Sequence, residues 1–155
     1  MMATQNQTIA FTRPADTTQY AIGDLIANSA TAGEVVAPTY GYGSGTATRL
    51  IRQARIRKSG TSLNDASFRL WLFSAPPTVT NGDNGLLTGN FSATVVGVYE
   101  GEAQVTRADG AVGWLLPAHE PIYYDGPMYA LLEARGAYTP VSEEVFAITL
   151  EQADV

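Results

Sequence analysis

The chain reads as short apolar runs of period two, broken every ten to fifteen residues by Gly, Pro, Asn and Asp. In SFRLWLF the alternation sends Phe68, Leu70 and Leu72 to one face and Arg69, Trp71 and Phe73 to the other. EVFAITLE places Phe146, Ile148 and Leu150 on one side in the same way. SATVVGVYE and PMYALLEAR are apolar on both faces, the pattern of strands covered on both sides. In EAQVTRADGAVGWLL, Asp109-Gly110 lies between two candidate strands, a short hairpin signal. No segment joins an N-cap, spacing at three and four, and a glycine stop, so at most one short helix is expected. Eight or more strands and few helices predict an all-β fold, a single-domain β-sandwich of the jelly-roll type. No repeat or composition shift divides the chain, so residues 1–155 form one domain, with residues 1–6 read as an N-terminal arm.

The segment TRLIRQARIRKSGTS is the least regular of the predicted strands. Alternation turns Leu50, Ala54 and Ile56 inward and Arg49, Arg55 and Arg57 outward. Ile51 and Arg52 break that order, and a bulge near Arg52 and Gln53 repairs it. A helix is the competing reading, because nothing in the segment breaks one.

Composition sharpens the interest of this segment. The chain has 9 Lys and Arg against 15 Asp and Glu, a net charge of −6, and five of the nine cations lie here: Arg49, Arg52, Arg55, Arg57 and Lys58. A negative chain repels phosphate backbones, so no nucleic-acid partner is expected. Only 15% of the residues are charged, against roughly 25% in an average soluble domain, which fits a surface partly covered by other protein. With no Cys, thiolate catalysis and thiolate-bound zinc are excluded. The N-terminus lacks the basic and apolar regions of a secretory signal, and no apolar run approaches the ~18 residues of a membrane span. The expectation is a soluble protein made in the cytoplasm, with no membrane partner.

Candidate chemistry is sparse. His119, the single histidine, sits between prolines in LLPAHEPIYY without a partner for a triad or a His-pair metal site. TNGDNGLL offers Asn81, Asp83 and Asn84 as oxygen donors but lacks the glycine and glutamate positions of a calcium loop, and reads as a turn. PTYGYGSGT has no following helix or Lys with which to cradle phosphate, and reads as a surface loop whose Tyr40 and Tyr42 stack on a partner. The acidic residues are scattered. We therefore expect no cofactor, no metal and no enzymatic activity. The basic segment reads either as a solvated strand face or as a docking face for an acidic protein surface, since Arg forms bidentate pairs with carboxylates. Trp71 and Phe73, opposite the core face of their strand, need cover from another layer or another chain.

Two stretches carry a resemblance. ATRLIRQARIRKSGTSLNDASFRLWLFSAPPTVTNGDNG and PMYALLEARGAYTPVSEEVFAITLE resemble segments of head decoration, or cement, proteins of tailed bacteriophages. The resemblance implies a small β-sandwich or jelly-roll subunit on the outside of a virion, bracing the capsid lattice. Its implied partners are the major capsid protein and itself, as a homodimer or homotrimer. On that reading Arg49, Arg52, Arg55, Arg57, Trp71, Phe73, Tyr40 and Tyr42 form the protein interface. A phage tail structural protein is the neighbouring alternative. A carbohydrate-binding β-sandwich with Trp71 or Trp114 as platform is a more distant one.

Overall fold

The alternating runs form strands in the computed structural model, which describes residues 4–41 and 48–155. They are β1 (Thr4–Thr12), β2 (Leu25–Ile26), β3 (Thr39–Tyr40), β4 (Arg49–Lys58), β5 (Ser67–Phe73), β6 (Val95–Arg107), β7 (Gly110–Pro117), β8 (Ile122–Tyr124), β9 (Met128–Ala134) and β10 (Val145–Asp154). The only helical element among the described residues is a 3-10 turn, Ala32–Glu34.

All pairings between these strands are antiparallel, in the order β1-β10-β4-β7-β6-β5-β9-β2, with β3 also on β9 and β8 also on β4. The first four form one layer and the last four the other. Each strand of one half pairs with its counterpart in the other half: β1 with β10, β2 and β3 with β9, β4 with β7, β5 with β6. That nesting is a long hairpin rolled upon itself, the jelly roll. The layers are joined along β6–β7, where Gly101 and Gly113 face each other's strands. A Cβ at either would run into the carbonyl of Trp114 or of Glu102, so glycine permits the close approach at this bend.

The core lies between the layers. Phe146, Ile148 and Leu150 of β10, Ile51, Ala54 and Ile56 of β4, and Leu115 of β7 meet Phe68, Leu70 and Leu72 of β5, Tyr99 of β6, and Ala130 and Leu132 of β9. Phe68 stands edge-on to Phe146 and Tyr138 at 5.7 Å. The predicted core faces of SFRLWLF and EVFAITLE are as expected. The β6–β7 hairpin turns through Ala108 and Asp109, with Gly110 opening β7 at φ +134°, one residue earlier than the Asp109-Gly110 reading. Residues 1–3 of the expected arm lie outside the described residues, whereas Thr4 to Asn6 are already paired with Ala153 to Glu151 of β10.

β4 carries the expected bulge. Glu151 pairs with Gln53 and Gln152 with Ile51, so Arg52 is the extra residue. Its consequence is opposite to the sequence expectation for the N-terminal half of the strand. Ile51 and Arg49 take the core side, and Leu50 is only half-buried. Two successive outward residues, Arg52 and Gln53, absorb the break; upstream of them the facing of every side chain is reversed.

Candidate protein-docking face

Of the eight predicted interface residues, the structure brings Arg52, Arg55 and Arg57 together on the outer face of β4. Register sets Arg55 beside Trp114 and Arg57 beside Val112 of β7. On the other side they face Thr149 and Ala147 of β10. Small residues on β10 leave the long guanidinium side chains standing above the sheet. Arg55 lies 3.8 Å from Glu151, which also accepts a 2.5 Å hydrogen bond from Gln53 Nε2. Arg52 and Arg57 are exposed and make no ion pair among the described residues. Arg55, Arg57, Asp109, Val112 and Trp114 line a shallow hollow of about 400 Å³. An open hollow with two guanidinium groups beside an indole, and Asp109 at its edge, suits carboxylate-bearing side chains of a flat partner, not enclosure of a small substrate.

Four expected interface residues do not belong to this face. Arg49 is buried at 6% exposure, carried inward by the bulge. Tyr40 is buried, and its hydroxyl donates to the Ile148 carbonyl at 2.9 Å, tying β3 to the opposite layer. Phe73 is fully buried in a second apolar cluster outside the sheet, edge-on to Phe91 at 5.1 Å and packed with Leu25, Ala27, Val79 and Leu131. Trp71 is half-buried against the same cluster and donates from Nε1 to Glu133 at 2.8 Å. The cover that these two rings require therefore comes from the chain's own connecting segments. Tyr42 lies outside the described residues.

Two buried polar centres escaped the sequence reading. In the first, Asp83 accepts hydrogen bonds from Arg13 (3.1 Å), the Tyr20 hydroxyl (2.6 Å) and the Ala27 amide (2.9 Å). The Arg13 guanidinium also reaches Asp16 and the carbonyls of Pro14, Asp16 and Val141. Burial works against its charge, but the hydrogen bonds to Tyr20 and Asp16 and the nearby Asp83 prevail and raise its pKa. In the second centre Lys58, at the inward C-terminal end of β4, lies 3.3 Å from Glu144 and donates to the Gly60 carbonyl at 2.8 Å. Glu144 also accepts from the Tyr138 hydroxyl and the Gly60 amide. Desolvation lowers the Lys58 pKa, partly countered by Glu144. Both centres close loops onto the sandwich rim, with Arg13, Asp83, Lys58 and Glu144 buried. His119 is exposed in the β7–β8 connection.

No family model matches the chain, and no curated protein matches it. Solved structures align over nearly its whole length at low similarity. A capsid structure of Helicobacter pylori bacteriophage KHP30 is 8% identical, covering 100% of this chain and 94% of that one at a TM-score of 0.34. The cyanophage Pam1 capsid asymmetric unit is 8% identical, with 99% and 84% covered and a TM-score of 0.33. The globular domain of zebrafish complement 1qA protein is 7% identical, with 95% and 94% covered and a TM-score of 0.31. Values this low assign no family. The jelly roll rests on the strand order.

Proposed function

We propose that this chain is a virion structural protein of the capsid-decorating kind, not an enzyme, that docks on acidic protein surfaces of a tailed-phage head through the outer face of β4. The observation that carries the proposal is the exposed row Arg52, Arg55 and Arg57 beside Trp114 on a sheet face that the chain leaves uncovered, in a protein of net charge −6. The resemblance of residues 47–85 and 127–151 to phage decoration proteins supports the same reading. Binding to the assembled lattice but not to free capsid subunits stabilises the lattice by mass action, and many symmetric copies multiply a modest contact. Cosedimentation of the purified chain with DNA-filled heads and with isolated tails of the phage that encodes it tests the proposal. Saturable binding to heads, lost in Arg52→Glu/Arg57→Glu, is expected. Binding to tails alone would transfer the role to the tail. Binding to neither particle, or to free DNA with a steep salt dependence, would overturn it.

A further inference from the structure

Beyond the basic row, the outer surface continues across β7 onto β6 with a change of sign. Glu100 pairs with Leu116 and Ala103 with Gly113, so the intervening register sets Trp114 beside Glu102. The row Arg55–Trp114–Glu102 then crosses all three strands, flanked by the pairs Arg57–Val112 on one side and Leu116–Glu100 on the other. A basic hollow lies on one side of the Val112–Trp114–Leu116 seam, and a hollow lined by Glu100, Glu102 and Leu116 lies on the other. Trp114 is 36% and Leu116 56% exposed, large apolar groups that the chain covers only in part. Glu100 is held by Arg69 at 2.8 Å, and Arg135, on the rim of the second hollow, by Glu133 at 3.0 Å. Glu102 is exposed and makes no ion pair among the described residues.

We infer that the outer face of β4, β7 and β6 is a self-complementary surface whose occupant is a second copy of this chain. A two-fold axis lying in the interface parallel to β7 lays seam on seam, and it sets the basic side of each copy on the acidic side of the other. Arg55 of each copy then faces Glu102 of its sister, twice by symmetry, and the two Trp114 rings cover one another. A surface running positive, apolar, negative is its own partner only under such an axis. The inference rests on the proposed function in taking this face as a protein contact. It deepens that reading by naming the partner at Arg55 and Trp114, leaving exposed Arg52 and Arg57 toward the rim for the shell.

The test is light scattering and sedimentation on the full chain up to about 200 µM, the range in which small interfaces associate, at low and high salt. A dimer weakened by salt is expected. Arg55→Glu and Glu102→Arg should each weaken it at least about tenfold, as should Trp114→Ala. The double reversal Arg55→Glu/Glu102→Arg should restore it, and so should an equimolar mixture of the two single variants. All these positions are exposed or half-exposed, so urea midpoints should stay near wild type, which separates lost contact from lost fold. A wild-type monomer at the highest concentration, or a double reversal that fails to rescue, overturns the inference. Head binding by a protein that stays monomeric would refute the dimer and spare the proposed function, whereas a dimer indifferent to heads would do the reverse.

Discussion

Replacement of Asp83 by Ala should be among the most damaging single changes in the molecule, although the residue sits in a Gly/Asn turn. Arg13 and Asp83 are 0% and 1% exposed in their side chains and 3.1 Å apart. Removing one partner of such a pair leaves an uncompensated buried charge, at about 3–5 kcal/mol. The Tyr20 hydroxyl and the Ala27 amide also lose their acceptor, about 1–3 kcal/mol for each group left unsatisfied. The terms overlap, because Arg13 keeps Asp16 and three carbonyls, so we expect a net loss of about 4 kcal/mol. With a urea dependence of about 2 kcal/mol per M, the midpoint falls by about 2 M. Unfolding followed by tryptophan fluorescence reads this directly. Asp16→Ala is the control. Its carboxylate also pairs with Arg13 at 3.0 Å but is 40% exposed, so at most about 1 kcal/mol should be lost. Arg13→Met/Asp83→Leu should recover much of the loss, because no lone charge remains buried. A cost for Asp83→Ala no greater than that of Asp16→Ala would refute the reasoning.

Two further outcomes follow from the packing and the buried phenols. Phe73→Ala should cost about 3–5 kcal/mol, as a core aromatic does, and leave self-association unchanged; equal stability with weakened association would return the ring to an interface. Tyr99 is pushed up to about 12 by burial, partly countered by the Ile122 amide, and burial raises Tyr20, Tyr40 and Tyr138 as well. A phenol whose folded-state pKa exceeds its unfolded value of about 10 stabilises fully below that value and loses the contribution as pH rises through the folded pKa. Stability should therefore hold to about pH 9 and fall from about pH 10 upward, with these four phenols ionising only on unfolding. Phenolate absorbance that rises fully before the fold is lost would contradict this.

The strands were legible wherever a single face is buried. Phe146, Ile148 and Leu150, or Phe68, Leu70 and Leu72, can occupy one register only, because a one-residue slip would put them all in water. What covers Phe73 was not legible, because Val79 and Phe91 come from connections without periodicity and act through the fold alone. The Arg13–Asp83 pair joins residues 70 apart in the chain, and nothing local in either segment announces the other. The proposed docking face was legible in part. Arg52, Arg55 and Arg57 are where alternation and the bulge place them, but Trp114, their neighbour on β7, emerges only once the register between the strands is known.

The crowding of five cations into one strand has two separate causes. The inward row of β4 runs Arg49, Ile51, Ala54, Ile56, Lys58, apolar in the middle and cationic at both ends. Its middle crosses the dry core, while its ends reach the rims of the sandwich, where a long side chain can find oxygen acceptors. Lys58 does so with Glu144 and the Gly60 carbonyl, beneath the Tyr138 ring at 5.0 Å. Such a cation is structural: Glu144 and the carbonyl answer its charge, and it offers none to a partner. The outward row is different. Arg52 and Arg57 make no ion pair among the described residues, although Asp109 lines the same hollow as Arg57, and Arg55 has only a distant partner. A strand needing only a solvated face would gain as much from Thr or Gln, which fit a pleated surface without adding mutual repulsion between neighbouring cations. Three outward arginines fit the proposal of carboxylates beyond this chain, on Glu102 of a sister copy and on an acidic shell. The two rows should separate experimentally. Lys58→Met, which strands Glu144, should cost stability and leave association intact, whereas Arg55→Glu should do the opposite. If both changes fall on stability alone, the outward arginines belong to the fold and the face has no partner.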